Sequence, residues 1–317
     1  MITRLILDCD TGTDDAVAIM AAACHPNLDL LAVTTVNGNV PLANTTENSL
    51  RVLDLLGSSI PVYSGAPRPL IRPDFPIPRL ILNGDNPEFQ VLYLDLPEAV
   101  SKPQTTNAVQ FLIDSYLDEE NADVVLVAVG PLTNLALALA AEPTLASRIP
   151  RLIIMGGSRG WGNVTAVAEF NIWVDPEAAE AVLSSGIRDI LIVSLDATHD
   201  APISLVDCDL FDSIGTPAAL ASSALIRHRI GHYPDAADAT KLSAPVHDAL
   251  CIAALVHPEV LQEVGEYTAH VETAGTHTLG ELVLDSRAWR TDRSNVRVAL
   301  RANAQLFVQF LADAFRS

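Results

Sequence analysis

Residues 5–19 read LILDCDTGTDDAVAI, and the architecture of the chain turns on this stretch. Leu5, Ile6 and Leu7 form a short apolar run that reads as a buried strand. Thr11, Gly12 and Thr13 read as a loop, in which Gly12 is free to adopt backbone conformations that other residues avoid. The alanine-rich run 16–23 favours a helix. Asp8, Asp10, Asp14 and Asp15 therefore crowd the carboxyl end of a strand, where open α/β sheets place their ligands. A helix dipole alone accounts for two acids in a first turn. It does not account for four, two of them flanking a cysteine at the strand end. Like charges at close range repel, and a hard divalent cation held by oxygens resolves that repulsion.

Working outward, short runs rich in Val, Ile and Leu recur at 30–36, 124–129, 152–155 and 190–194. Helical spacing occupies 44–56, 107–117, 132–141 and 177–184, with Gly186 as a stop signal after the last. Alternation of buried strand and helix predicts parallel strands in a doubly wound sheet with helices on both faces. Two stretches break the rhythm. Residues 61–87 carry seven prolines and are expected to be mostly irregular; residues 200–246 are helical in places but crowded with His and Asp. Both are expected as insertions over a cleft in a single domain, 1–317, because no long polar segment isolates them.

Composition narrows the function. Net charge is −20, from 19 basic and 39 acidic residues, and Lys102 and Lys241 are the lysines. Such a surface repels nucleic acid and disfavours heavily phosphorylated substrates. No apolar run is long enough to span a bilayer, so no membrane partner is expected. Cys9, Cys24, Cys208 and Cys251 are scattered without a C-x-x-C pair, and no leader-like run precedes the first strand; a reducing cytoplasm is the expected location.

Other apolar runs end in polar residues: Asn37-Gly38-Asn39, Gly130-Pro131-Leu132-Thr133-Asn134, Gly156-Gly157 followed by Glu169-Phe170-Asn171, and Asp196-Ala197-Thr198-His199. Val246-His247-Asp248 precedes a late apolar helix. Singly, each is a turn or a cap. In order, DCDTGTDDAVAI, VNGNV, IPVYSGAPRPL, VAVGPLTN, IMGG, EFNIWVDPEAA, LDATH and VHDA resemble the inosine–uridine-preferring nucleoside hydrolases along almost the whole chain.

That resemblance implies a single-domain, Rossmann-like, mostly parallel sheet, a bound Ca2+, and hydrolysis of the N-glycosidic bond of free ribonucleosides. It also implies a homodimer or homotetramer. By resemblance, Asp10, Asp15 and Asp248 offer side-chain oxygens to the calcium and Val129 its backbone carbonyl, while Asp8 orients the loop. Asp14 matches the general base that activates water, and His247 the acid that assists departure of the base. Asn39, Asn163, Glu169 and Asn171 would hydrogen-bond ribose hydroxyls, Met155 would pack beneath the sugar, and Tyr233 would lie near the base. The chain departs from the pattern at Asn83, where many members have a His, and at Ala249, where Pro commonly follows His-Asp. Asn cannot shuttle a proton as His does. Trp161 stands in a glycine-flanked loop and is open to either a stacking or a core role.

Two rivals share part of this evidence. A haloacid-dehalogenase-like phosphatase also carries D-x-D after an apolar strand, but Gly12 stands where it needs Thr or Val. A catalytically inactive, calcium-dependent nucleoside-binding protein would keep the metal ligands alone; the presence of both Asp14 and His247 argues against it.

Overall fold

The computed structural model describes residues 2–73, 91–232, 242–287, 289 and 293–317. The first apolar run forms β1 (Thr3–Cys9), and the others form β2 (Leu28–Thr35), β4 (Val125–Ala128), β5 (Leu152–Met155) and β6 (Ile190–Val193). The short β3 (Val62–Ser64) adds to β2. All pair in parallel, in the order β3-β2-β1-β4-β5-β6. The chain winds outward from β1 in one direction, then returns past it to wind in the other. The strand order therefore reverses between β1 and β4, and a crevice opens there at the carboxyl ends of the strands.

Period-two alternation divides the strand residues between two cores. Leu5, Leu7, Val127, Ile153 and Leu191 pack on one face, with the helices Thr13–Cys24, His247–Val256 and Ala304–Phe315. Ile6, Leu126, Leu152, Ile154 and Ile192 pack on the other, with Ala108–Leu117, Thr133–Ala141 and Pro176–Leu183. Strands buried on both faces read as unbroken apolar runs, which is why the sequence exposed them.

The far edge is different. β11 (Val296–Ala302) continues the parallel set beside β6, but β9 (Leu261–Val271) and β10 (Leu282–Asp285) attach antiparallel. The longest of them, β9, carries no continuous apolar run: it reads LQEVGEYTAHV and is largely exposed over its first half. The 200–246 stretch contains the helices Leu205–Ile214 and Pro217–His232, and a two-stranded ribbon of β7 (Pro202–Ser204) and β8 (Ser243–Pro245).

Candidate active site

The loop leaving β1 is folded by its own acids. Asp15, in the first turn of the helix Thr13–Cys24, turns back to accept the backbone N–H of Asp10 at 3.1 Å and of Gly12 at 2.9 Å. Asn39 joins this loop to the next. Its backbone N–H donates to Oδ2 of Asp10 at 2.5 Å, and its Nδ2 to Oδ2 of Asp15 at 3.0 Å. Asp10 fits because two neighbours are glycines. A Cβ at Gly38 would overlap the Asp10 carboxylate, and one at Gly130 would lie 2.9 Å from its Oδ1.

Asp8 faces away from this loop. Its Oδ1 accepts Thr34 Oγ1 at 2.5 Å and Asn134 Nδ2 at 2.8 Å, while the buried Oδ2 has no hydrogen-bond partner. Burial pushes Asp8 up to about 6 despite those two bonds. Asn134 also donates to the Thr35 carbonyl at 3.0 Å and accepts the Ala66 N–H at 2.8 Å. Asp8 thus ties β1 to β2 and to the helix Thr133–Ala141, through side-chain hydrogen bonds made outside residues 10–15.

The late His-Asp pair arrives at the same crevice. The helix His247–Val256 packs against Thr13–Cys24. Asp14, Asp15 and Asp248, all buried, each bring an oxygen within 4.8 Å of the other two. Burial, then repulsion from one another, holds Asp10 and Asp248 well above the usual carboxylate range and Asp15 at about 7. Asp14 meets a guanidinium: Nη1 of Arg229 lies 3.1 Å from its Oδ1. Arg229 also donates through Nε to the Pro245 carbonyl at 2.7 Å.

His247 is buried, and its Nδ1 lies 2.7 Å from Thr198 Oγ1. The Thr198 hydroxyl donates to the Leu195 carbonyl at 3.0 Å. This assignment makes Nδ1–H the donor to Thr198 and leaves Nε2 as the acceptor nitrogen. Burial, then the charge of Arg229 and the neighbouring His199, pushes His247 well below its ordinary range, so it rests neutral. His199 stands 5.5 Å from the His247 ring and makes an edge contact with Trp161 at 4.8 Å. The loop beneath Trp161 is pinned by Asp196, which accepts the N–H groups of Arg159 and Gly160 at 2.8 and 3.0 Å.

On the other flank, Asn171 donates through Nδ2 to the carbonyls of Val129 at 2.8 Å and Met155 at 3.1 Å. Glu169 caps the helix Phe170–Val174, accepting the N–H groups of Asn171 and Gly157. Its burial raises it to about 7. Asn163 Oδ1 accepts the Phe170 N–H at 3.0 Å.

Residues 5–309 match the family model described as inosine-uridine preferring nucleoside hydrolase. The chain belongs to this family. The hydrolase is 39% identical over 317 residues to the pyrimidine-specific ribonucleoside hydrolase RihA of Escherichia coli O1:K1, covering 100% of this chain and 99% of that one. Among solved structures it resembles a purine-preferring ribonucleoside hydrolase from Gardnerella vaginalis, with a TM-score of 0.88, 28% identity and coverage of 99% and 98%. The plant nucleoside hydrolase PpNRh1 is equally similar, with a TM-score of 0.88, 28% identity and both chains covered completely.

The structure of the hydrolase links Asp10, Asp15 and Asn39, groups Asp14 with Asp15 and Asp248, and joins Asn171 to Val129 and Met155. Tyr233 and Asn83 lie outside the described residues. Sequence reasoning overlooked Arg229, Thr198 and Asn134 as contributors. The last two sit inside the quoted LDATH and VAVGPLTN stretches, but Arg229 is one of two arginines in a helix that also carries His228 and His232, and nothing in the sequence set it apart.

Proposed function

We propose that this hydrolase cleaves the N-glycosidic bond of free ribonucleosides with the help of a calcium ion, and that it prefers pyrimidine bases. The observation that carries the proposal is the buried group of Asp14, Asp15 and Asp248 oxygens at the strand-order reversal. Burial, then repulsion from neighbouring acids, drives Asp15 and Asp248 towards their protonated forms when no cation is bound. An all-oxygen donor set suits a hard cation. Asp10, Asp15 and Asp248 would hold it, with the Val129 carbonyl, whose second lone pair is not used by Asn171. When bound, calcium anchors the ribose hydroxyls and acidifies water.

Asp14 accepts the proton of the attacking water through the oxygen that does not face Arg229. Asn39, Asn163, Glu169 and Asn171 line the sugar, over Met155. His247 rests neutral with Nε2 unprotonated, so Nε2 takes up a proton from solvent and passes it to the departing base as negative charge grows there. Preference for pyrimidines rests on the full-length similarity to the RihA enzyme. It also rests on His247 at the position before Asp248, where purine-specific relatives would place a stacking Trp. Four unpaired cysteines fit a reducing compartment, and no helix among the described residues is long and apolar enough to cross a membrane.

The test is release of reducing sugar from uridine, cytidine, inosine and their 2′-deoxy forms, with and without chelator. Uridine and cytidine should be cleaved fastest, the deoxy forms poorly, and chelator should abolish turnover. His247→Ala should slow uridine severely yet leave p-nitrophenyl riboside nearly untouched, since nitrophenolate departs without a proton. Full activity in chelator sinks the metal reading; equal losses on both substrates remove His247 from proton donation.

A further inference from the structure

Arg229 is the one arginine or lysine among the described residues that is fully buried, with 4% of its side chain exposed. It lies in the helix Pro217–His232, outside every motif that carries the family resemblance. Its planar fork reaches two segments far apart in sequence. Nη1 donates to Asp14 Oδ1 at 3.1 Å and to Thr13 Oγ1 at 3.3 Å. Nε donates to the Pro245 carbonyl at 2.7 Å, two residues ahead of His247. One rigid group therefore fixes the start of the helix Thr13–Cys24 against the approach to His247 and Asp248.

Its charge also acts on Asp248, but its hydrogen bonds are selective. Asp14, Asp15 and Asp248 are close enough to one another for a single cation to take all three. Among the described residues Arg229 is hydrogen-bonded to Asp14 alone of these three, while Asp15 is held by backbone N–H groups and Asn39. An arginine stays charged at any pH the protein meets and holds a carboxylate in a fixed direction. A carboxylate so held has its own counter-ion and is a weaker competitor for the cation.

We propose that Arg229 is a positioning residue that withholds Asp14 from the cation's ligand set and aims its second oxygen at the reacting water. The inference rests on the calcium-dependent reading of the site. Removing Arg229 releases Asp14 to the metal: the ion gains a ligand and the reaction loses an oriented base. A residue that merely supported the fold would weaken metal binding and turnover together. Here the two should move in opposite directions.

The experiment is a double-mutant cycle of Arg229→Met and Asp14→Asn. Calcium binding to the metal-stripped chain is followed by calorimetry, and kcat and KM are measured on uridine. Arg229→Met should lower kcat by roughly tenfold or more, change KM little, and leave calcium binding as tight as in the wild type or tighter. In the Asp14→Asn background the same change should cost less than about twofold, because the residue through which it acts is already gone. Arg229→Lys keeps the charge and a donor for Asp14, and should recover most of kcat; it also serves the cycle if the Met variant does not fold. Multiplicative losses in the double mutant, or calcium affinity falling in step with kcat, overturn the proposal. Wild-type activity that survives chelator overturns the calcium reading itself, a result visible before any variant is made.

Discussion

Gly38→Ala adds one methyl group and should disable the site through Asp10. The three atoms nearest a Cβ at Gly38 all belong to the Asp10 side chain: Oδ2 overlaps it, and Cγ and Cβ lie 2.6 and 2.8 Å away. Carbon atoms in contact normally sit about 3.5–4 Å apart. Gly38 is not among the glycines with positive φ, so the methyl group introduces no backbone strain. On its other side Asp10 faces Gly130, where even a Cβ would come within 2.9 Å of Oδ1. It must change rotamer and give up the 2.5 Å bond from the Asn39 N–H. A hydrogen bond to a charged group contributes roughly 1.5–3 kcal/mol, which corresponds to a loss of roughly 10- to 150-fold. Calcium titration of the metal-stripped variant and kcat/KM on uridine should both show it. Gly231→Ala is the control: nothing lies within 4 Å of its Cβ, and it sits near the end of the helix Pro217–His232. That change should leave activity alone and stabilise the chain by up to ~1 kcal/mol. Calcium affinity and kcat/KM within about twofold of wild type in Gly38→Ala would refute the claim that the two glycines set the position of Asp10.

Metal-free stability should fall as pH rises from about 4 to 7. Asp15 and Glu169, held up to about 7 from ordinary values of 3.8 and 4.5, keep protons in the folded chain that the unfolded chain gives up. The folded state therefore binds more protons across that window, and the slope of stability with pH is negative. Calcium should flatten or reverse it, and thermal melts at pH 5 and 7.5 with and without the ion decide; a metal-free chain more stable at pH 7.5 contradicts the burial argument. Asn134→Ala removes two donated bonds and one accepted bond from a fully buried hub, and leaves Asp8 with Thr34 alone. It should cost roughly 3–5 kcal/mol in urea unfolding, and a loss under about 1 kcal/mol would show that water replaces those bonds.

The parts of this fold legible in sequence are those whose burial is two-sided. Runs such as Leu152–Met155 and Ile190–Val193 coincide with their strands because both faces demand apolar residues. β9 escaped notice because half of it faces solvent and its Glu, Gln and Gly break the run. The acids at residues 8–15 were legible as a group because unpaired carboxylates have no packing rationale. Individual duties were not: Asp8 and Asp10 are two residues apart, yet one turns to Thr34 and Asn134 and the other to Asn39. That division depends on which neighbouring segment arrives, as does the meaning of Arg229, 215 positions from Asp14.

The site draws its acids from residue 10 and residue 248, on adjacent helices and strand ends that form from opposite ends of the chain. During synthesis the first six strands can dock in order from the amino end, each against a neighbour already present. The acids of residues 8–15 are then in place without Arg229 to pair Asp14 and without Asp248 to complete the group. Arg229 and Asp248 are delivered only after more than two-thirds of the chain has been made. Closing so large a loop is entropically slow. On the calcium reading proposed above, capture of the ion is a late event in folding. A nascent or truncated chain lacking the region after residue 245 should hold its first strands and yet remain blind to the ion, making metal uptake a sensor of complete folding.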